Sequence, residues 1–339
     1  MPDLSPEVII LVLVVIMALS FDFINGFHDT ANAIATSVST RALSPRTAIV
    51  IASVFNLVGA LTYTGVAKTI GGQITDPFKL PNGLLVVLAA LTAAILWNLI
   101  TWWFGIPSSS SHAIIGGVAG AAVGAAGLGA INMEGFIEIV KALIISPIVA
   151  FVIGFIVIKF VSKIVANKAY HKTNRSFRVL QVLSASWQSF SHGANDAQKT
   201  MGVITLALLS GGFLVQEPGE FAIPLWVKLS AAIAMALGTS VGGWRIIKTM
   251  GGKIMKIKPI SGFSADLSSA LIITIFTMLK LPVSTTHVIT SSILGVGASQ
   301  KLNAVKWGLA GRILITWVIT LPVSALLAAA CYVVFDVFL

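Results

Sequence analysis

Long apolar runs alternate with short polar links over the whole chain. The runs occupy residues 7–39, 47–63, 84–104, 108–129, 136–165, 179–210 and 225–247, with a last set from 262 to 338 that divides at a serine/threonine motif and again near Lys301. Several exceed the ~18 apolar residues that mark a spanning helix. The pattern predicts an all-α polytopic membrane protein. The opening run, Val8 to Leu19, has no cationic flank before it and no small-residue cleavage site after it, so it reads as a retained span and not a signal peptide.

The polar interruptions repeat. Ile106-Pro107-Ser108-Ser109-Ser110-Ser111-His112 returns at an offset of 175 as Leu281-Pro282-Val283-Ser284-Thr285-Thr286-His287, and the same offset pairs Gly120 with Gly295. A second pair recurs at an offset of 167: the segment around Asn25-Gly26-Phe27-His28-Asp29 matches that around His192-Gly193-Ala194-Asn195-Asp196. Asp22, Asn25, Asp29 and Asn32 share the spacing of Ser189, His192, Asp196 and Lys199, which sets each group on one helical face.

Two halves follow, residues 1–165 and 166–339, each running long helix, helix, hairpin with a hydroxyl-rich tip, then helix. If the hairpins re-enter without crossing, each half crosses an odd number of times. The halves are then inverted, with both termini outside, as in many secondary transporters. Gly26 and Gly193 predict breaks in the two long helices beside the aspartates. Charge agrees with this topology. The basic stretch Lys159, Lys163, Lys168, Lys172, Arg175 and Arg178, and the cluster from Arg245 to Lys258, belong in the cytoplasm, with Glu217 and Glu220 outside.

Composition narrows the class. The 339 residues are 56% hydrophobic and 10% charged, against roughly 25% charged in soluble domains. The net charge of +10 is the positive-inside bias of a membrane protein, so nucleic acid is not the expected partner; the lipid bilayer is. Cys331 is the single cysteine, which excludes an intramolecular disulfide and a multi-cysteine metal site.

Asp29 and Asp196 lie inside apolar helices, where a carboxylate costs at least ~2.5 kcal/mol unless it meets a partner or an aqueous path. With Asp22, Asn25 and Asn195 they form an oxygen-rich set suited to a hard cation such as sodium. The tips carry Ser109, Ser110 and Ser111 in one half and Ser284, Thr285 and Thr286 in the other. Proline followed by hydroxyl residues suits a capped helix start, a natural anion site. Asn25 and Asn195 are further candidates for the anion. His112 and His287 are expected to brace the tips, and Lys199 either to neutralise Asp196, the favoured reading, or to touch the anion. No zinc-ligand spacing or nucleophile-base arrangement marks an enzyme.

These motifs resemble those of the inorganic phosphate transporter (PiT) family. Gly193-Ala194-Asn195-Asp196 matches the start of the family's repeated signature Gly-Ala-Asn-Asp-Val-Ala-Asn-Ala, Gly26 to Ala33 is an altered copy, and Leu281 to His287 is similar to the family's second motif. Phe27-His28 replaces Ala-Asn in the first copy and Gln198-Lys199 replaces Ala-Asn in the second, which argues against exact symmetry of the two cation sites. The resemblance implies phosphate uptake across a cell membrane, driven by a sodium or proton gradient, with the signature aspartates essential; the carboxylate and amide oxygens favour sodium, and no resident cofactor is expected. A proton-coupled phosphate permease and a sulfate permease are the alternatives. The sequence leaves a homo-oligomer open.

Overall fold

The computed structural model describes residues 5–76, 80, 82–217 and 220–339; residues 1–4 of the first half and 218–219 of the acidic loop lie outside that range. Twelve α-helices organise the described residues: α1 (Pro6–Ser39), α2 (Pro45–Thr62), α3 (Gly65–Gly72), α4 (Gly83–Phe104), α5 (Ser110–Ala126) and α6 (Met133–Val165), then α7 (Tyr170–Ser210), α8 (Leu225–Val241), α9 (Trp244–Lys248), α10 (Pro259–Met278), α11 (Thr285–Gln300) and α12 (Trp307–Phe338). Six of these are long and apolar enough to cross a membrane, and α8 with α9 forms a further candidate bent by 58°. Large side chains such as Ile144 and Ile148 on α6, or Val318 and Leu326 on α12, are exposed on the outer face. In a bilayer that face meets acyl chains.

Local sequence explains the helix ends. Pro6, Pro45 and Pro259 open α1, α2 and α10 at the position where a missing N–H costs nothing. α4 ends at Gly105, with φ of 65°, and the matched residue after α10 is Lys280, with φ of 62°. Glycine adopts this left-handed backbone freely, whereas lysine there is strained. Lys280→Gly is therefore expected to raise stability by about 1 kcal/mol, read as a higher melting temperature in detergent, because the Thr69 hydroxyl donates at 2.7 Å to the Lys280 backbone carbonyl, which the substitution keeps.

The expected breaks at Gly26 and Gly193 are absent: α1 and α7 run helical through both. The two glycines serve close packing instead. A Cβ on Gly26 would strike the Met235 carbonyl of α8, and one on Gly193 would strike the Asn56 carbonyl of α2. The break that does occur lies at Gly242-Gly243, between α8 and α9.

Matched elements pack reciprocally across the halves. α1 lies on α8 while α7 lies on α2; α5 lies on α12 while α11 lies on α6. Gly120 of α5 touches the Ala325 backbone and its counterpart Gly295 of α11 touches the Phe151 backbone. Small residues permit such approaches between spanning helices. Each tip helix is thus held by the last helix of the opposite half, and α6 and α12 carry interior prolines at matched positions, Pro147 and Pro322.

Candidate functional site

The two tips meet. Ser109 is the N-cap of α5 and accepts from the His112 backbone N–H at 3.0 Å; Ser284 caps α11 in the same way, accepting from His287 N–H at 3.2 Å. The rings of His112 and His287 lie 4.5 Å apart, and His287 stacks on Trp317 at 3.8 Å. Ser111 donates to the Val283 carbonyl at 2.7 Å, joining one tip to the other. The histidines brace the tips, as their positions suggested. Two helix starts, each with about half a positive charge, therefore converge inside the protein.

Asp29 on α1 and Asp196 on α7 face these starts. Ser110 Oγ donates to Asp29 Oδ2 at 3.1 Å, and its counterpart Thr285 Oγ1 donates to Asp196 Oδ2 at 3.1 Å. Thr286 Oγ1 crosses to Asp29 Oδ1, also at 3.1 Å. One potential ligand atom from each of Asp29, His192 and Asp196 falls within 4.8 Å of the others, close enough to share a cation. Asp29, Asp196 and the six tip residues from Ser109 to Ser111 and Ser284 to Thr286 are all buried.

Each aspartate has a cationic or donor neighbour of its own. His28 Nδ1 is 2.7 Å from Asp29 Oδ1, with its Nε2 turned to Thr101 at 3.3 Å. Lys199 Nζ donates to Asp196 Oδ1 at 2.6 Å, the neutralising contact expected of it. Asn195 occupies the place matched to His28 and makes a similar contact, donating to Thr277 Oγ1 at 2.8 Å while its Oδ1 accepts from Val283 N–H at 3.3 Å. Its amide holds the second tip against α10.

Asn25 and Asp22 lie further along α1. Both are buried; among the described residues neither polar atom of the Asn25 amide has a hydrogen-bond partner. Neither carboxylate oxygen of Asp22 has a hydrogen-bond partner among the described residues. All five candidate cation ligands, Asp22, Asn25, Asp29, Asn195 and Asp196, thus lie on the buried stretches of α1 and α7. The second signature departure, Gln198, has a separate task. Its Oε1 accepts from Val66 N–H at 2.8 Å and Ala67 N–H at 3.2 Å, which anchors the start of α3.

A profile of the Phosphate transporter family matches residues 25–328. The chain belongs to this family. It is 61% identical over 328 residues to a "Probable low-affinity inorganic phosphate transporter" of Bacillus subtilis (strain 168), with 97% of this chain and 98% of that one covered. A protein of the same description from Rhizobium meliloti (strain 1021) is 47% identical, with 96% and 97% covered. Among solved structures, "The sodium-dependent phosphate transporter" superposes with a TM-score of 0.89 at 27% identity, covering 98% of this chain and 100% of that one. A phosphate transporter family member of this kind is a membrane transporter, not an enzyme.

Sequence reasoning did not single out Asp266. This carboxylate of α10 is buried, accepts from Thr36 Oγ1 at 2.6 Å and lies 3.5 Å from Ser184 Oγ. The signal was present, since an acidic residue inside the apolar run from 262 to 278 is as unusual as Asp29. It was overlooked because no matched partner stands in the first half, where the 175 offset falls on Leu91.

Proposed function

We propose that this phosphate transporter family member carries inorganic phosphate into the cell by symport with sodium across the plasma membrane. Residues 1–165 and 166–339 act as inverted repeats that alternate access to one central site. The carrying observation is the convergence of two capped helix starts on two buried aspartates. Ser110, Thr285 and Thr286 are the donors in reach of an anion at that point, with Ser109, Ser111 and Ser284 shaping the tips. Asn25 and Asn195 complete the polar surround.

Coupling follows from a competition for donors. Ser110, Thr285 and Thr286 give their hydroxyl protons to Asp29 and Asp196. A phosphate at the helix starts takes those donors, and the carboxylate oxygens they leave then need cations. A dianion brought beside two aspartates, with Lys199 as the fixed counter-charge, is prohibitively costly in low dielectric without added positive charge. Sodium beside Asp29, with Asp22 and Asn25 on the same helix and Asn195 and Asp196 facing it from α7, supplies it. Anion and cation each make the other's site, which is positive thermodynamic coupling.

Labelled phosphate uptake into proteoliposomes tests this, with sodium and proton gradients imposed separately and excess sulfate as competitor. Accumulation that follows the sodium gradient and resists sulfate is the expected result. Accumulation that follows protons alone replaces sodium by the proton, and suppression by sulfate replaces phosphate selectivity by a general dianion site.

A further inference from the structure

Asn32 and Lys199 stand at matched positions, each three residues beyond its signature aspartate, and the structure uses them differently. Asn32 Nδ2 donates to Thr285 Oγ1 at 3.2 Å and to Thr286 Oγ1 at 2.9 Å. Its Oδ1 is buried and accepts nothing among the described residues. Asn32 and Asp29 share one face of α1, so the first half offers an uncommitted amide oxygen on the side of its carboxylate. Lys199, by contrast, is wholly buried and brings an ammonium to 2.6 Å from Asp196 Oδ1. That is the distance at which a hard cation sits from a carboxylate oxygen.

We infer that Lys199 is a tethered replacement for one coupling cation. The second half carries its compensating charge covalently on α7, and the exchangeable cation belongs to the first half, at Asp29 and the Asn32 carbonyl oxygen. This rests on the sodium-symport reading above and sharpens it. The transporter moves one cation fewer per phosphate than a protein with asparagine at both positions. Lys199 is the specificity-determining residue for that number. The physical reason is that an ammonium at Asp196 and a sodium ion at Asp196 exclude each other, through both space and like charge.

The number is measured as the reversal potential of phosphate uptake in proteoliposomes at clamped sodium gradients, alongside the Hill coefficient for sodium. Lys199→Asn is expected to raise the sodium count by about one and to move half-saturation to higher sodium, since the ion must now be recruited from solution. Asn32→Lys is expected to lower the count by about one, by installing the same tether in the first half. An unchanged count in Lys199→Asn with weaker phosphate affinity overturns the inference and makes Lys199 a phosphate contact. Should Lys199→Asn not fold, Asn32→Lys decides, an unchanged count again overturning it. A wild-type protein indifferent to sodium overturns the sodium reading instead, and the same count made with a pH gradient then decides the role of Lys199.

Discussion

Replacing Asp29 or Asp196 by asparagine is expected to abolish concentrative phosphate uptake while both proteins still insert. The amide keeps the shape but removes the charge that holds a cation, sodium at Asp29 and the Lys199 ammonium at Asp196, and loss of such a carboxylate exceeds the ~100-fold penalty seen when only a supporting partner is lost. The two variants differ in stability. Asp196→Asn leaves the Lys199 ammonium buried without its counter-ion, a loss of about 3–5 kcal/mol. Asp29→Asn removes a partner of His28, Ser110 and Thr286 but strands no fixed charge. Thermal unfolding in detergent should therefore rank Asp196→Asn well below Asp29→Asn. The double variant Asp196→Asn, Lys199→Asn should recover stability without recovering transport. Normal uptake by either single variant would remove that aspartate from the mechanism.

Gly193→Val is expected to be among the costliest packing changes. The added Cβ meets the Asn56 carbonyl oxygen and lies 2.6 Å from the Asn56 Cα, so the collision is with backbone and no rotamer relieves it. Asn56 Oδ1 also accepts from His192 Nδ1 at 2.9 Å and its Nδ2 donates to Thr239 Oγ1 at 2.9 Å, tying α2 to α7 and α8. Forcing α2 and α7 apart breaks this junction beside the site. The loss should reach or pass the upper end of the ~1–3 kcal/mol typical of overpacking, seen as a lower melting temperature and a fall in uptake. Gly308→Ala is the control: nothing lies within 4 Å of a Cβ there, and stability should hold.

Much of the site was legible because membrane burial makes polar residues conspicuous. Asp29, Asp196 and the two hydroxyl motifs stand out against apolar runs, and their matched spacing ties them together. The helix starts at Ser109 and Ser284 were predicted by proline and serine chemistry and are capped as expected. The helix breaks were misread. Glycine in a helix signals either a break or a close neighbour, and spacing along one chain cannot tell which; only the nearness of Met235 and Asn56 decides it. The direct contact of His28 with Asp29 was equally out of reach, since adjacent helical residues ordinarily point apart.

Local chemistry and the bilayer's demand that buried polar groups be satisfied determined the spans, the caps, the duplicated aspartates and the uncharged tips. These depend on residue type and short-range spacing alone. What folding decided is which of those groups touch: that Thr286 of one half reaches Asp29 of the other, that His112 meets His287, and that Lys199 fills the place beside Asp196. Such contacts join residues far apart in the chain. They are set by how α1, α5, α7 and α11 pack against one another, a geometry in which glycine-sized gaps and backbone collisions outweigh any pattern along the sequence.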